Sequence, residues 1–155
     1  MIASAYGDVY VAQIAMGADN PQTVKALAEA DAYPGPSLVI AYSHCIAHGI
    51  EMKKGMEQHK LAVDTGYWPL YRYDPRQADA GEHPFHLDSR APKLPVSEFM
   101  AKEARFAMLQ RARPAEAAEL AELAQKDVDE RWHLYEQVAE IGRSATELEP
   151  DEEKT

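Results

Sequence analysis

The 155-residue sequence contains one cysteine, Cys45. A single cysteine cannot form an intramolecular disulfide, so we expect a reducing, cytoplasmic setting in which Cys45 is a free thiol or a metal ligand. The first 24 residues contain no lysine or arginine, so the charged region that begins a secretory signal is missing. The longest unbroken apolar run, residues 38–42, is far shorter than the roughly 18 residues of a membrane span. We therefore expect a soluble protein.

Excess positive charge is also absent, because the formal net charge is −10. This balance disfavours nucleic acid and anionic membrane as partners. The sequence has no glycine-rich phosphate loop, no Gly-x-Ser-x-Gly elbow and no His-Glu-x-x-His motif. With 46% apolar and 27% charged residues, the composition is that of an ordinary globular domain.

The first 42 residues predict a strand-helix-strand crossover. Residues 9–15 are β-branched and aromatic, which is typical of a strand. Asp19 or Asn20 then caps a helix that extends to Ala32. Residues 37–42 form a continuous run that is apolar from Leu38 onward, which predicts a strand buried on both faces in a parallel sheet. The fold class is therefore α/β.

The middle of the chain has a weaker secondary-structure pattern. Residues 52–60 are basic and carry Met52 and Met56, which we interpret as core or interface residues of a helical stretch interrupted by Gly55. Residues 66–96 contain five prolines, too many for a long helix, and predict a strand and loops that wrap over a surface.

Two helices are predicted after Pro95. The first begins at Ser97 and ends before Pro114. The second begins at about Ala115, and its apolar residues recur at steps of three and four: Leu120, Ala124, Val128, Trp132, Tyr135 and Ala139. Residues 142–155 are acidic and predict a disordered tail.

The segment that follows the second predicted strand is the strongest candidate for chemistry. Ligands collect at the carboxyl ends of strands in open α/β sheets, and Cys45 lies at such an end. The simplest interpretation is that Cys45 is a small buried side chain. As a nucleophile it would need His44 or His48 as a base. A zinc site could add His59 to these residues, although adjacent ligands chelate poorly.

An iron–sulfur cluster is the third possibility for Cys45, but it normally needs four thiolates. The other three would have to come from outside this chain. His83 and His86 flank a loop and are expected to be solvated rather than ligating. The aromatic residues of the proline-rich segment are better explained by packing than by base stacking, because the charge around them is near neutral: Tyr67, Trp68, Tyr71 and Tyr73.

Several ordered motifs resemble the C-terminal end of pyruvate:ferredoxin (flavodoxin) oxidoreductases. They occupy residues 5–18, 33–50, 60–63, 66–73, 84–89 and 126–132, so the resemblance covers nearly the whole chain before the acidic tail. The resemblance implies that this chain belongs to a large homodimeric enzyme. Enzymes of this family use thiamine diphosphate and Mg²⁺ to decarboxylate pyruvate oxidatively. Members of this family pass electrons through 4Fe-4S clusters to ferredoxin or flavodoxin and form acetyl-CoA with coenzyme A.

The resemblance also implies a role for Cys45. In the family, the cysteine of the Tyr-x-x-Cys-Ile-x-His-Gly segment is a ligand of the 4Fe-4S cluster nearest the thiamine, and Cys45 occupies that position. Its three partner cysteines and the diphosphate motif would lie in a missing upstream segment. We therefore expect a fragment that is catalytically incomplete alone and that pairs with the upstream portion of the enzyme.

These expectations divide the chain into three parts. Residues 1–65 would be the end of the thiamine-diphosphate-binding domain, residues 66–141 a Pro/Tyr-rich extension with two C-terminal helices, and residues 142–155 the tail. A cut domain exposes apolar surface, and each 100 Å² of lost apolar burial costs about 2.5 kcal/mol. We expect poor solubility or a partly molten state in isolation. The alternatives are a fragment of another 2-oxoacid oxidoreductase and a non-catalytic α/β interaction module.

Overall fold

The computed structural model describes residues 2–141. Its strands are β1 (Tyr10–Ile14), β2 (Ser37–Ala41), β3 (Tyr71–Tyr73) and β4 (Phe85–Leu87). Its α-helices are α1 (Asn20–Ala32), α2 (Gly55–Asp64), α3 (Pro75–Asp79), α4 (Val96–Met100), α5 (Ala104–Ala112) and α6 (Pro114–Glu140). Short 3₁₀ turns cover Ala3–Tyr6, Ile46–His48 and Met52–Lys54.

The four strands form one mixed sheet in the order β2-β1-β3-β4. β1 and β2 are parallel and are joined by α1, which confirms the predicted crossover and the α/β class. Asp19 caps α1 by accepting a hydrogen bond from the Gln22 N–H, and Pro21 follows in the first turn. β3 and β4 are antiparallel additions.

The sheet has a buried cluster on each face. Alternate residues of β1 point to opposite faces, as the pleat of a strand requires. One cluster contains Tyr10, Ala12, Ile14 and Ala26 of α1. The other contains Val11, Tyr71, Tyr73, Phe85 and Tyr135 of α6. The sheet therefore lies between α1 and α6, and all five residues of β1 are buried.

β2 differs from its prediction as a strand buried on both faces. It lies at the edge of the sheet formed by the described residues, and Leu38 is 42% exposed. Its residues are exposed or half-buried, whereas those of its neighbour β1 are all buried. The apolar run was correctly assigned to a strand, but within residues 2–141 β2 pairs with a strand on one side only, β1, and packs against α1.

The proline-rich segment contributes more to the sheet than expected. Its aromatic residues Tyr71 and Tyr73 lie in β3 and are nearly fully buried, which confirms packing as their role. β3 pairs with β1 on one side and β4 on the other. Pro75 opens the short α3, where a missing N–H costs no hydrogen bond.

The helix predicted from Ser97 to Pro114 is wrong as a single element. The structure divides it into α4 and α5, with Glu103 in an extended conformation (φ −114°, ψ 122°) between them. α4 ends at Met100, and the Glu103 side chain that follows before α5 is 1% exposed, so it turns into the protein at the break.

The long second helix is confirmed as α6, which buries Val128, Trp132 and Tyr135. These residues are spaced by four and three, so they share one face. Leu120, predicted to share this face, is 43% exposed. The predicted tail, residues 142–155, lies outside the described residues, and the three-part division stays a prediction. Across residues 2–141, no helix is both long enough and apolar enough to cross a bilayer.

Candidate functional site

Cys45 lies in a loop at the carboxyl end of β2. We call residues 43–49 the Cys45 loop. The thiol is free and the residue is half-buried. Cys45 has extended backbone angles, and the 3₁₀ turn Ile46–His48 follows it. The Cys45 carbonyl accepts a hydrogen bond from the His48 N–H at 3.0 Å, which closes the turn.

The start of the Cys45 loop is held by a histidine pair. His44 Nδ1 lies 2.9 Å from Nε2 of His59 in α2. Nδ1 of His59 accepts a hydrogen bond from the Gly17 N–H at 3.4 Å. Because neutral imidazole carries one proton, this contact places the His59 proton on Nε2, where it is donated to His44.

The glycine at the start of α2 makes room for this pair. A Cβ atom on Gly55 would lie 2.4 Å from Nε2 of His44. Gly17 is close to His59 in the same way, since its Cβ would lie 2.9 Å from the His59 Cβ. Glycine at both positions allows the imidazoles to pack directly against backbone.

The end of the Cys45 loop contacts the start of α5. Gly49 adopts φ +71°, and its carbonyl accepts a hydrogen bond from the Ala104 N–H at 3.3 Å. His48 Nδ1 lies 3.9 Å from Oε2 of Glu103. The loop is therefore held at one end by α2 and at the other by the residues that open α5.

The structure separates the histidines that the sequence grouped around Cys45. His44 and His59 pair with each other, while His48 faces Glu103. Within the described residues, no group of three or more His, Cys, Asp or Glu side chains is placed to hold a metal ion. Nδ1 of His44 is already occupied by His59 and is not available as a base. The zinc and nucleophile interpretations therefore gain no geometric support.

His59 should titrate below the ordinary histidine pKa of 6.5, because burial and the neighbouring His44 both lower its pKa. Neutral His59 also keeps the Nδ1 lone pair that Gly17 needs. The unfolded chain takes up this proton near pH 6.5, so folding stability from His59 should be present above that pH and fall below it. An NMR titration, assigned with His59→Gln, measures this. A His59 pKa at or above 6.5 would contradict the expectation.

A buried charge network lies near the α1 side of the sheet, and sequence reasoning did not identify it. Arg72 of β3 donates two hydrogen bonds of 2.8 Å to Asp88 and binds Glu29 of α1 at 2.8 Å. Tyr10 donates to Glu29, and Gln22 to Asp88. Hydrogen bonds that Arg72 donates to Asp88 and Glu29 raise its pKa further above the ordinary value. With both carboxylates engaged, this network supports the fold.

The two loop histidines expected to be solvated have protein partners. Nδ1 of His83 lies 2.9 Å from the Phe85 carbonyl, and its Nε2 lies 2.7 Å from the Ile141 carbonyl. His86 contacts the side-chain oxygen of Gln77, and burial lowers its pKa. These contacts connect β4 to α3 and to the end of α6, so both histidines serve packing.

Cys45 fits an iron–sulfur cluster as one ligand and no more. The sequence has one thiolate where a cluster normally needs four. The thiol is half-buried and lies on a loop held at both ends. A complete cluster site would require ligands from outside this chain.

No model of a known protein family matches the chain. The pyruvate-flavodoxin oxidoreductases of Trichormus variabilis and Rhodospirillum rubrum are 52% and 51% identical to it over 139 and 140 residues. The pyruvate:ferredoxin oxidoreductase of Moorella thermoacetica is 45% identical over 140 residues. Each alignment covers 90% of this chain but 12% of the relative. The chain is thus homologous to one segment of these oxidoreductases and spans a small part of their length.

Proposed function

We propose that this chain is the C-terminal part of the thiamine-diphosphate domain of a pyruvate:ferredoxin or flavodoxin oxidoreductase. The complete enzyme would convert pyruvate and coenzyme A to acetyl-CoA in the cytoplasm and reduce ferredoxin or flavodoxin. The observation that carries this proposal is the identity of about half the residues over nine-tenths of the chain. Thiamine diphosphate and Mg²⁺ would be bound by parts of the enzyme outside this chain.

In this proposal Cys45 supplies one of four thiolate ligands of a 4Fe-4S cluster. The cluster, when bound, supplies one-electron transfer. The task of this chain is to present the Cys45 thiolate at a defined position. His59 orients His44 on one side of the loop, and the residues that open α5 hold Gly49 on the other. The local role is electron transfer rather than acid–base chemistry.

The exposed edge strand β2 is evidence that another part of the enzyme binds to this chain. Edge strands are commonly protected by charged residues or proline, and β2 (Ser37–Ala41, SLVIA) has neither. α1 packs on β2, and its Val24 and Leu27 are 67% and 50% exposed. We propose that the upstream portion of the same enzyme pairs with β2 and covers this surface, and that the complete enzyme forms a homodimer.

The test is complementation under anaerobic conditions. The chain is expressed alone, together with the upstream portion, and as one continuous polypeptide. Iron, sulfide and pyruvate-dependent reduction of an artificial acceptor are then measured. We expect poor solubility and no iron for the chain alone, and iron incorporation with activity for the other two samples, because the remaining ligands and the covering surface are then present.

Three outcomes would overturn parts of this proposal. Activity with a different 2-oxoacid but not with pyruvate would favour the related oxidoreductases. A chain that is folded and soluble alone, binds no iron and ignores the upstream portion would be an interaction module. Full iron content in a complex that lacks Cys45 would remove the ligand role.

A further inference from the structure

Glu103 is a buried carboxylate whose position needs an explanation. Its side chain is 1% exposed, and burying a carboxylate costs several kcal/mol unless partners compensate it. Although it precedes the first residue of α5, its side chain makes no capping hydrogen bond to that helix. Serine, threonine, aspartate or asparagine would serve better as a cap. The carboxylate therefore serves contacts beyond its own helix.

The partners of Glu103 come from three parts of the chain. Oε1 accepts a hydrogen bond of 3.2 Å from Gln58 of α2, and Oε2 accepts one of 2.5 Å from Arg105. Nδ1 of His48 lies 3.9 Å from Oε2. Glu103 thus links α2, α5 and the Cys45 loop.

A continuous set of contacts leads from Glu103 to Cys45. The next residue, Ala104, donates its N–H to the Gly49 carbonyl, and a Cβ on Gly49 would lie 2.4 Å from the Ala104 Cβ. His48, which faces Glu103, donates its N–H to the Cys45 carbonyl at 3.0 Å. Displacing Glu103 would disturb the turn that carries the thiol.

The charge of Glu103 also reaches the strand end that leads into the loop. Burial, followed by the field of Glu103, raises the pKa of Tyr42 to about 12. Glu103 Oε2 lies 3.9 Å from Nδ1 of His48, three residues after Cys45. A charge this close to the loop affects the energy of adding an electron there, because its field is weakly screened inside a protein.

We propose that Glu103 is a positioning residue for Cys45, which it holds in place through His48 and the start of α5. This inference rests on the proposed function, in which Cys45 is a cluster ligand. By holding the loop, Glu103 would slow loss of the cluster. Its buried negative charge would also lower the reduction potential of the cluster, because a negative charge nearby disfavours reduction.

The test is Glu103→Gln in the complete enzyme, with Glu116→Gln as the control. Glu116 forms an exposed ion pair with Arg113 in the first turn of α6. We expect the midpoint potential of the cluster that Cys45 ligates to become more positive by up to about 59 mV, the equivalent of a tenfold change in a one-electron equilibrium. Iron loss to a chelator should be several-fold faster. The control should match wild type in both measurements.

His48→Gln tests the same link from the loop side and leaves Glu103 with Gln58 and Arg105. It should also accelerate iron loss, and the double variant should lose iron no faster than Glu103→Gln alone, because both changes break one contact path. If Glu103→Gln does not fold, the inference is tested by His48→Gln alone. Wild-type iron retention in His48→Gln would then overturn the inference.

Cys45→Ser, measured in parallel, separates the two proposals. If it abolishes one cluster while Glu103→Gln and His48→Gln retain wild-type potential and iron retention, the inference about Glu103 is wrong and the ligand role stands. If Cys45→Ser leaves iron content unchanged, the ligand role itself is wrong, and the inference fails with it.

Discussion

Replacing Cys45 with serine in the complete enzyme is expected to remove one 4Fe-4S cluster and to slow electron transfer to the acceptor by at least about tenfold. Loss of even an outer hydrogen-bond partner costs a metal site roughly 10–100-fold, and this change removes a ligand. Thiamine diphosphate binding should be largely retained, because its site lies outside this chain in our proposal. Iron and sulfide analysis, EPR spectra and acceptor reduction measure the effect.

The matched control is Ser43→Ala in the same loop. Ser43 is exposed, and its hydroxyl donates to the neighbouring His44 carbonyl at 3.3 Å. This variant should keep full iron content and activity. Full cluster content in Cys45→Ser would contradict the ligand role, and equal losses in both variants would indicate a general disturbance of the loop.

Replacing Arg72 with methionine is expected to destabilise the sheet by about 3 kcal/mol, because Glu29 and Asp88 would keep their charges without the guanidinium that compensates both of them. The side chain of Arg72 is 8% exposed, so water cannot replace it freely. Amide hydrogen exchange in α1 and β3 should accelerate roughly 100-fold, as measured by mass spectrometry on the complete protein.

Arg113→Met is the control for this prediction, since the Arg113–Glu116 pair is exposed and such pairs contribute roughly 0–1 kcal/mol. Adding Glu29→Gln and Asp88→Asn to Arg72→Met should restore part of the stability, because stranded charges cause most of the loss. Exchange rates in Arg72→Met that match those of Arg113→Met would show that the network contributes little.

Elements with strong local patterns were predictable from sequence. β1 was identified from its β-branched and aromatic residues, α1 from Asp19 and its apolar stripe, and α6 from the spacing of Val128, Trp132 and Tyr135. The position of Cys45 after β2 followed from the same reasoning. Each of these signals lies within a few consecutive turns or residues, where local propensity and periodicity decide the structure.

Elements that depend on distant partners were not predictable. The helix predicted from Ser97 is interrupted between Met100 and Ala104, where the Glu103 carboxylate accepts a hydrogen bond from Gln58, 45 residues earlier. Nothing in the local spacing of residues 97–113 marks that break. Likewise, the burial expected for β2 depends on which strand lies beside it, and its composition alone could not show that it lies at an edge of the sheet formed by residues 2–141.

The sequence by itself determined the α/β class, the crossover, the long amphipathic helix and the loop that carries the only cysteine. Only the tertiary structure decided that His44 pairs with His59, that His48 faces Glu103, and that Arg72 joins Glu29 to Asp88. The physical reason is that periodicity reports which face of an element is apolar. Contacts between polar side chains tens of residues apart depend on how those elements pack together.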